Sequence, residues 1–196
     1  MISCGQILVF ENTSDLSAEV QNLLSSLKKD NNATEVIKAC PILCLYCEFL
    51  LQKKSRVFYE RVIREKLRQV ARLVLSYKER FGEDVMTADL FNVDAFDKII
   101  TCVNEEFSRS ACLKIGHHLN KLGLLVKNQA LRKEIPVENC RNFLELLTTE
   151  WSTSVSSKAI SELQEKKFLK SNDLPSTEDI VKMSEYLHKK CTSFLK

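Results

Sequence analysis

The chain has 196 residues, of which 44% are hydrophobic and 28% are charged, and its formal net charge is +3. This apolar fraction excludes a disordered chain, and no apolar run is long enough to cross a membrane. Four glycines and three prolines are too few for the turns of an all-β sandwich or a βαβ nucleotide-binding fold. The composition therefore predicts a helical protein of one domain or two small ones.

Hydrophobic periodicity predicts an all-α fold, a compact bundle of about eight to ten helices. Residues 1–14 show no clear pattern and are expected to form a loose N-terminus. Short helices are predicted over about 17–29, 34–39 and 41–53. They make up an N-terminal helical extension, 15–55, and the remaining residues, 56–196, form the main helical domain.

The main domain begins with the longest predicted helix, Val57 to Phe81, which Gly82 ends. Its buried row has steps of three and four residues: Ile63, Leu67, Val70, Val74, Tyr77 and Phe81. Thr87 is expected to cap a short turn through Phe91, and further helices are predicted over about 92–107, 110–131 and 136–151. A Ser/Thr cluster at 152–157 predicts another helix start, and Ser176 with Asp179 fits a capping box for the last helix.

Eight cysteines accompany a start without the basic and apolar regions of a signal peptide, which predicts an intracellular chain with reduced thiols, in the nucleus or cytoplasm. Cys44 and Cys47 form a CxxC pair that could supply half of a zinc site, with Cys40, His117 or His118 as further ligands. A second pair is missing, and the surrounding segment is uniformly apolar. We therefore expect a buried helix here, with no metal and no other cofactor.

The small net charge hides two basic stretches. Residues 53–80 contain ten basic and three acidic residues, and residues 109–133 contain six basic residues and no acid, so that the remaining residues sum to −10. On a helix, Arg61, Arg64, Arg68 and Arg72 fall within about 80° of one another, opposite the buried row. A second face gathers Lys114, His117, His118 and Lys121.

A basic helical face can follow a phosphate backbone and release its counterions. The eight residues of these two faces are therefore the candidate DNA-binding residues. The plainer interpretation is that they are solvated and paired with local acids, as Glu60 and Arg64 could be at the i,i+4 spacing. His117 and His118 are expected to be a surface pair or helix-capped imidazoles.

No catalytic constellation is recognisable. The sequence contains no Gly-rich phosphate loop, no GxSxG elbow and no HExxH motif, and the three histidines have no catalytic spacing. We therefore expect no catalytic residues and no enzymatic activity.

An ordered series of segments along residues 34–187 carries a family resemblance. The series includes EVIKACPIL from Glu35, REKLRQVARLVL from Arg64, LKIGHHLNK from Leu113 and FLELLTTEWS from Phe143. Together they resemble uncharacterised transposon-like proteins of fish and invertebrates, in which such a helical region precedes a tyrosine-recombinase-type catalytic domain, as in Crypton-like elements.

The resemblance implies that residues 56–196 are similar to a core-binding domain, which grips duplex DNA during recombination with its basic faces towards the phosphates. Recombinases of this type also need a His-x-x-Arg element and a nucleophilic tyrosine. The nearest pattern, His118 to Lys121, lacks the arginine. The expected function is thus a non-catalytic, transposon-derived DNA-binding module.

A protein-interaction domain is the alternative. Its basic faces would bind acidic protein partners, and an apolar position within the basic stretch, Leu75, would be exposed for a partner helix. Neither interpretation involves a membrane.

Overall fold

The computed structural model describes residues 16–27, 32–52, 57–82, 89–169 and 175–194. Within these residues the protein is all-α and has nine α-helices, which confirms the predicted fold class. The helices are α1 (Ala18–Ser25), α2 (Asn32–Ala39), α3 (Pro41–Leu51), α4 (Val57–Phe81), α5 (Val93–Glu106), α6 (Arg109–Arg132), α7 (Glu138–Thr149), α8 (Ser157–Leu169) and α9 (Thr177–Phe194). A 3₁₀ turn, Asp89–Phe91, precedes α5.

Two predicted helix ends are confirmed in detail. Gly82 follows α4 with a φ of 62°, a conformation that favours glycine, and its N–H donates to the Lys78 carbonyl at 2.9 Å. Before α9, the Asp179 N–H donates to Ser176 Oγ at 3.1 Å and the Ser176 N–H donates to Asp179 Oδ2 at 3.2 Å. These reciprocal bonds are those of a capping box.

The predicted helix start at 152–157 is confirmed by α8, which begins at Ser157. Residues Ser152–Ser156 make a π-helical turn that joins α7 to α8, so the helical path continues through the Ser/Thr cluster. The predicted cap at Thr87 and the loose N-terminus 1–14 lie outside the described residues.

The chain divides into two compact units, residues 1–163 and 164–196. The predicted limits at 14/15 and 55/56 stay a prediction. Within the first unit, α4 is the central helix and contacts α2, α3, α5 and α6. The predicted buried row of α4 is confirmed from Ile63 to Tyr77, and Phe81 is half-buried.

Within the first unit, α6 packs closely against α3 and against Trp151, the residue that precedes the π-helical turn. A Cβ added at Gly116 would lie only 2.3 Å from Trp151 Nε1, so only glycine allows the indole to pack this closely. On its other side α6 contacts α3, whose Tyr46 is fully buried. These contacts fix the face that α6 presents towards α4.

Candidate nucleic-acid interface

A groove of about 840 Å³ lies between α4 and α6. We call it the α4/α6 groove. Its lining consists of Arg61, Val62, Glu65, Lys66, Arg68 and Gln69 from α4, and Leu113, Lys114, His117, His118 and Lys121 from α6. The two basic stretches of the sequence therefore meet in one concave surface.

The groove is strongly cationic. Five of its side chains are Lys or Arg and one, Glu65, is a carboxylate, which gives a net charge of +4. Within the described part of the chain, none of the five cations forms an ion pair. Lys66 instead places its ammonium group 5.6 Å from the centre of the Tyr59 ring. Uncompensated cations in a concave surface focus a positive potential that attracts polyanions.

The structure brings together six of the eight candidate residues: Arg61, Arg68, Lys114, His117, His118 and Lys121. Arg64 and Arg72 are not among the described residues that line the groove. Arg64 donates to Glu60 Oε2 at 2.7 Å, which is the local ion pair that the i,i+4 spacing predicts. Arg72 is exposed, one helical turn beyond Arg68.

The sequence prediction missed Lys66. On a helical wheel Lys66 lies about 140° from Arg61, beside the buried residues Leu73 and Tyr77. A long lysine side chain can cover apolar surface with its methylene groups and still bring its ammonium to water. The signal that could have identified it was its side-chain length, which the wheel does not represent.

The prediction of a surface histidine pair is wrong for His118. His117 is exposed, but only 5% of His118 is exposed, and its Nδ1 lies 3.0 Å from the Tyr46 hydroxyl. On the wheel His118 lies about 40° from the buried Leu122, on the side where α3 packs. Burial, together with the neighbouring cations Lys66 and Lys121, lowers the pKa of His118 to about 4.

The hydrogen bond between the Tyr46 hydroxyl and His118 Nδ1 can form with the proton on either group. Among the described residues, Nδ1 is the partner of the Tyr46 hydroxyl. The Nε2 atom of His118 is buried and has no hydrogen-bond partner among the described residues.

Gln69, on the opposite wall, also carries a buried polar atom. Only 7% of the residue is exposed, and its Nε2 donates to Glu65 Oε1 at 3.3 Å. Its carbonyl Oε1 is buried and has no hydrogen-bond partner among the described residues. Two residues of the groove lining thus each carry a buried polar atom without such a partner in the described part of the chain.

The apolar position that slightly favoured the protein-interaction alternative is not freely exposed. Leu75 is half-buried and packs against the hydrophobic core. Its burial follows from the crowding of four helices around α4, which a wheel drawn for one helix does not include.

The CxxC pair lies in a buried helix, as its apolar surroundings predict. The Cys44 thiol donates to the Ile37 carbonyl at 3.7 Å. Burial raises the pKa of Cys44 to about 11 and that of Cys47 to about 12, so both thiols are protonated at neutral pH. Across the described ranges, no three His, Cys, Asp or Glu side chains come together in a way that could hold a metal ion.

The described helices also include none with the length and apolarity needed to span a membrane. No family model matches the chain, and no curated protein or solved structure matches it significantly.

Proposed function

We propose that the protein is a non-catalytic helical DNA-binding module that contacts the phosphate backbone through the α4/α6 groove. The observation that carries this proposal is the meeting of five Lys and Arg side chains from two helices around one carboxylate, with no ion pair among them in the described structure. We place this activity inside the cell, in the nucleus or cytoplasm.

The physical basis is the release of condensed counterions. Each phosphate that a Lys or Arg neutralises returns a cation to solution, which is favourable at low salt and loses its advantage as salt rises. Cations already paired within the protein contribute little, because DNA must compete with the acid that holds them. The unpaired state of the groove cations is therefore what supports DNA binding.

A transposon origin is part of the proposal, and the ordered sequence segments support it. In this view the chain corresponds to the core-binding region of a mobile-element tyrosine recombinase. The half-buried Leu75 removes one reason to prefer an acidic protein partner.

The test is a titration of a random-sequence DNA duplex with the full chain between 50 and 200 mM salt. With five phosphate contacts, the logarithm of the association constant should fall against the logarithm of salt concentration with a slope of about −4.5, a loss of about 500-fold over this range. No binding at low salt would contradict the proposal.

A polyglutamate of the same charge as the duplex provides the matched comparison. It presents negative charges without the spacing of a phosphate backbone. The proposal predicts clearly weaker binding to polyglutamate at every salt concentration, and equal or tighter binding to polyglutamate would favour the acidic-partner alternative.

A further inference from the structure

The last helix of the second unit, α9, carries an exposed apolar stripe. Every α9 side chain that the structure describes is exposed. Ile180, Met183 and Leu187 are 51%, 60% and 53% exposed, and at 100° per residue they fall, with Cys191, within an arc of about 80°. We call these four residues the α9 stripe. Their spacing of three and four residues is that of a seam between two packed helices.

A helix of this kind gains most of its stability from a partner. Isolated helices of up to about 15 residues are marginal in water, and packing of an amphipathic face stabilises most helices in proteins. The 18 residues of α9 are only slightly above that length, and no described side chain among them is buried. Clustered apolar residues on a surface mark an interaction site, so the α9 stripe requires an occupant.

The charges of α9 indicate what that occupant is. The first turn carries Glu178 and Asp179, the C-terminal part carries Lys189 and Lys190, and the one lysine and one glutamate between them cancel. The charge therefore changes from −2 to +2 along the helix and sums to zero. An identical helix in antiparallel orientation places each acidic end beside a basic end, whereas a parallel copy places like charges together.

An antiparallel pairing centred at the level of Glu185 also aligns the α9 stripe with itself. Met183 then lies opposite Leu187 of the second copy, and the two-fold symmetry forms this contact twice. Ile180 lies opposite Lys190 of the second copy, whose methylene groups can cover the isoleucine while its ammonium group reaches Asp179. One register thus satisfies both the apolar and the charged positions.

The same composition argues against a membrane surface as the occupant. Helices that lie in a bilayer interface have a polar face rich in Lys and Arg, which is attracted to anionic lipids. Over its printed range α9 has three acidic and three basic residues, so it offers no net attraction to such lipids.

We propose that α9 pairs with α9 of a second copy of this chain, in an antiparallel helix dimer with the α9 stripe as its seam. The stripe is short, which places the dimer among small interfaces below about 1,200 Å² and predicts a dissociation constant in the micromolar range. No stripe residue belongs to the lining of the α4/α6 groove, so self-association and DNA binding can be tested separately.

Sedimentation equilibrium of the full chain under reducing conditions, across the micromolar range, measures the association. The unmodified chain should change from monomer to dimer. Leu187→Gln should weaken the dimer at least about tenfold, because each dimer loses two buried leucines. Val181→Gln is the matched control, since Val181 is 50% exposed and lies about 120° from the centre of the stripe. It should leave the association unchanged.

Disulfide formation under mild oxidation with diamide tests the orientation, with the linked peptides identified by mass spectrometry. In the antiparallel register the two Cys191 residues are about 18 Å apart along the axis, since twelve residues rise 1.5 Å each. The unmodified dimer should therefore not link Cys191 to Cys191. Ile180→Cys should form a disulfide to Cys191 of the second copy. A Cys191–Cys191 link in the unmodified dimer would contradict the antiparallel pairing.

Three results would overturn the proposal: a chain that stays monomeric, a dimer that Leu187→Gln and Val181→Gln weaken equally, or a monomer that binds vesicles of phosphatidylserine and phosphatidylcholine through Leu187. A monomer that binds duplex DNA with the expected salt dependence would reject the dimer and leave the proposed function intact. A dimer that Leu187→Gln dissociates, without DNA binding, would do the reverse.

Discussion

The basic residues of this protein occupy two contrasting regions. Around the C-terminal end of α5, the cations are paired across helices: Arg80 of α4 binds Glu105 and Glu106, and Arg109 of α6 binds Glu162 and donates to the Asn104 carbonyl at 3.1 Å. In the α4/α6 groove, five cations face one carboxylate. The same two helices supply both regions.

This difference shows why a count of charges along the sequence is a poor guide to binding surfaces. Arg80 and Arg109 belong to the two basic stretches, as do the groove residues. Tertiary packing places acidic residues beside Arg80 and Arg109. It leaves the groove cations without an ion pair among the described residues. An uncompensated cluster of cations weakens the fold through mutual repulsion, and a ligand can recover that cost.

The largest expected effect on stability comes from His118, because its burial, together with the nearby groove cations, keeps the imidazole neutral. Its pKa in the folded protein is about 4, below the ordinary value of 6.5, so between these values the unfolded chain binds a proton that the folded chain does not. The free energy of unfolding should therefore decrease as the pH falls from about 6.5 to about 4, by up to about 3 kcal/mol from this residue.

The groups that face His118 are Tyr46 from α3, Lys66 from α4, and Lys114, His117 and Lys121 from α6. The NMR titration of the His118 imidazole resonances measures its pKa directly in the folded state. A midpoint near pH 4 is expected, and a midpoint at pH 6 or above would show that the groove does not hold this residue neutral.

A smaller effect on stability is expected from Gln69. Its carbonyl oxygen is buried and has no hydrogen-bond partner among the described residues, unlike the paired groups of the ion-paired region. Gln69→Met keeps the length of the side chain and removes the buried acceptor. We expect the free energy of unfolding to rise by about 1 kcal/mol, because the cost of an unsatisfied polar group is removed. Urea denaturation measures this change, and destabilisation by a similar amount would mean that the carbonyl is satisfied in solution.

The fold could be predicted from sequence where local rules decide it. The stop at Gly82 and the capping box at Ser176 each depend on residues within a few positions of one another, and the buried row of α4 follows from periodicity alone. The π-helical turn at Ser152–Ser156 could not be predicted, because a Ser/Thr cluster is also typical of an ordinary helix start.

The candidate site was predicted in its parts and not in its arrangement. A helical wheel placed Lys114 and Arg68 on basic faces, but it contains no information about which helices become neighbours. For the same reason it could not show that Tyr46 buries His118, or that Arg80 meets acids from another helix. Contacts between distant residues decided which of the predicted cations remain available.

The central claim is that unpaired groove cations, and not the basic stretches as a whole, bind DNA. The most direct measurement compares the salt dependence of duplex binding for two matched double variants, Arg68→Gln with Lys114→Gln in the groove and Arg80→Gln with Arg109→Gln in the ion-paired region. The groove variant should reduce the magnitude of the salt slope by about two, and the ion-paired variant should leave the slope unchanged. Equal reductions in both variants, or no reduction in the groove variant, would contradict the account.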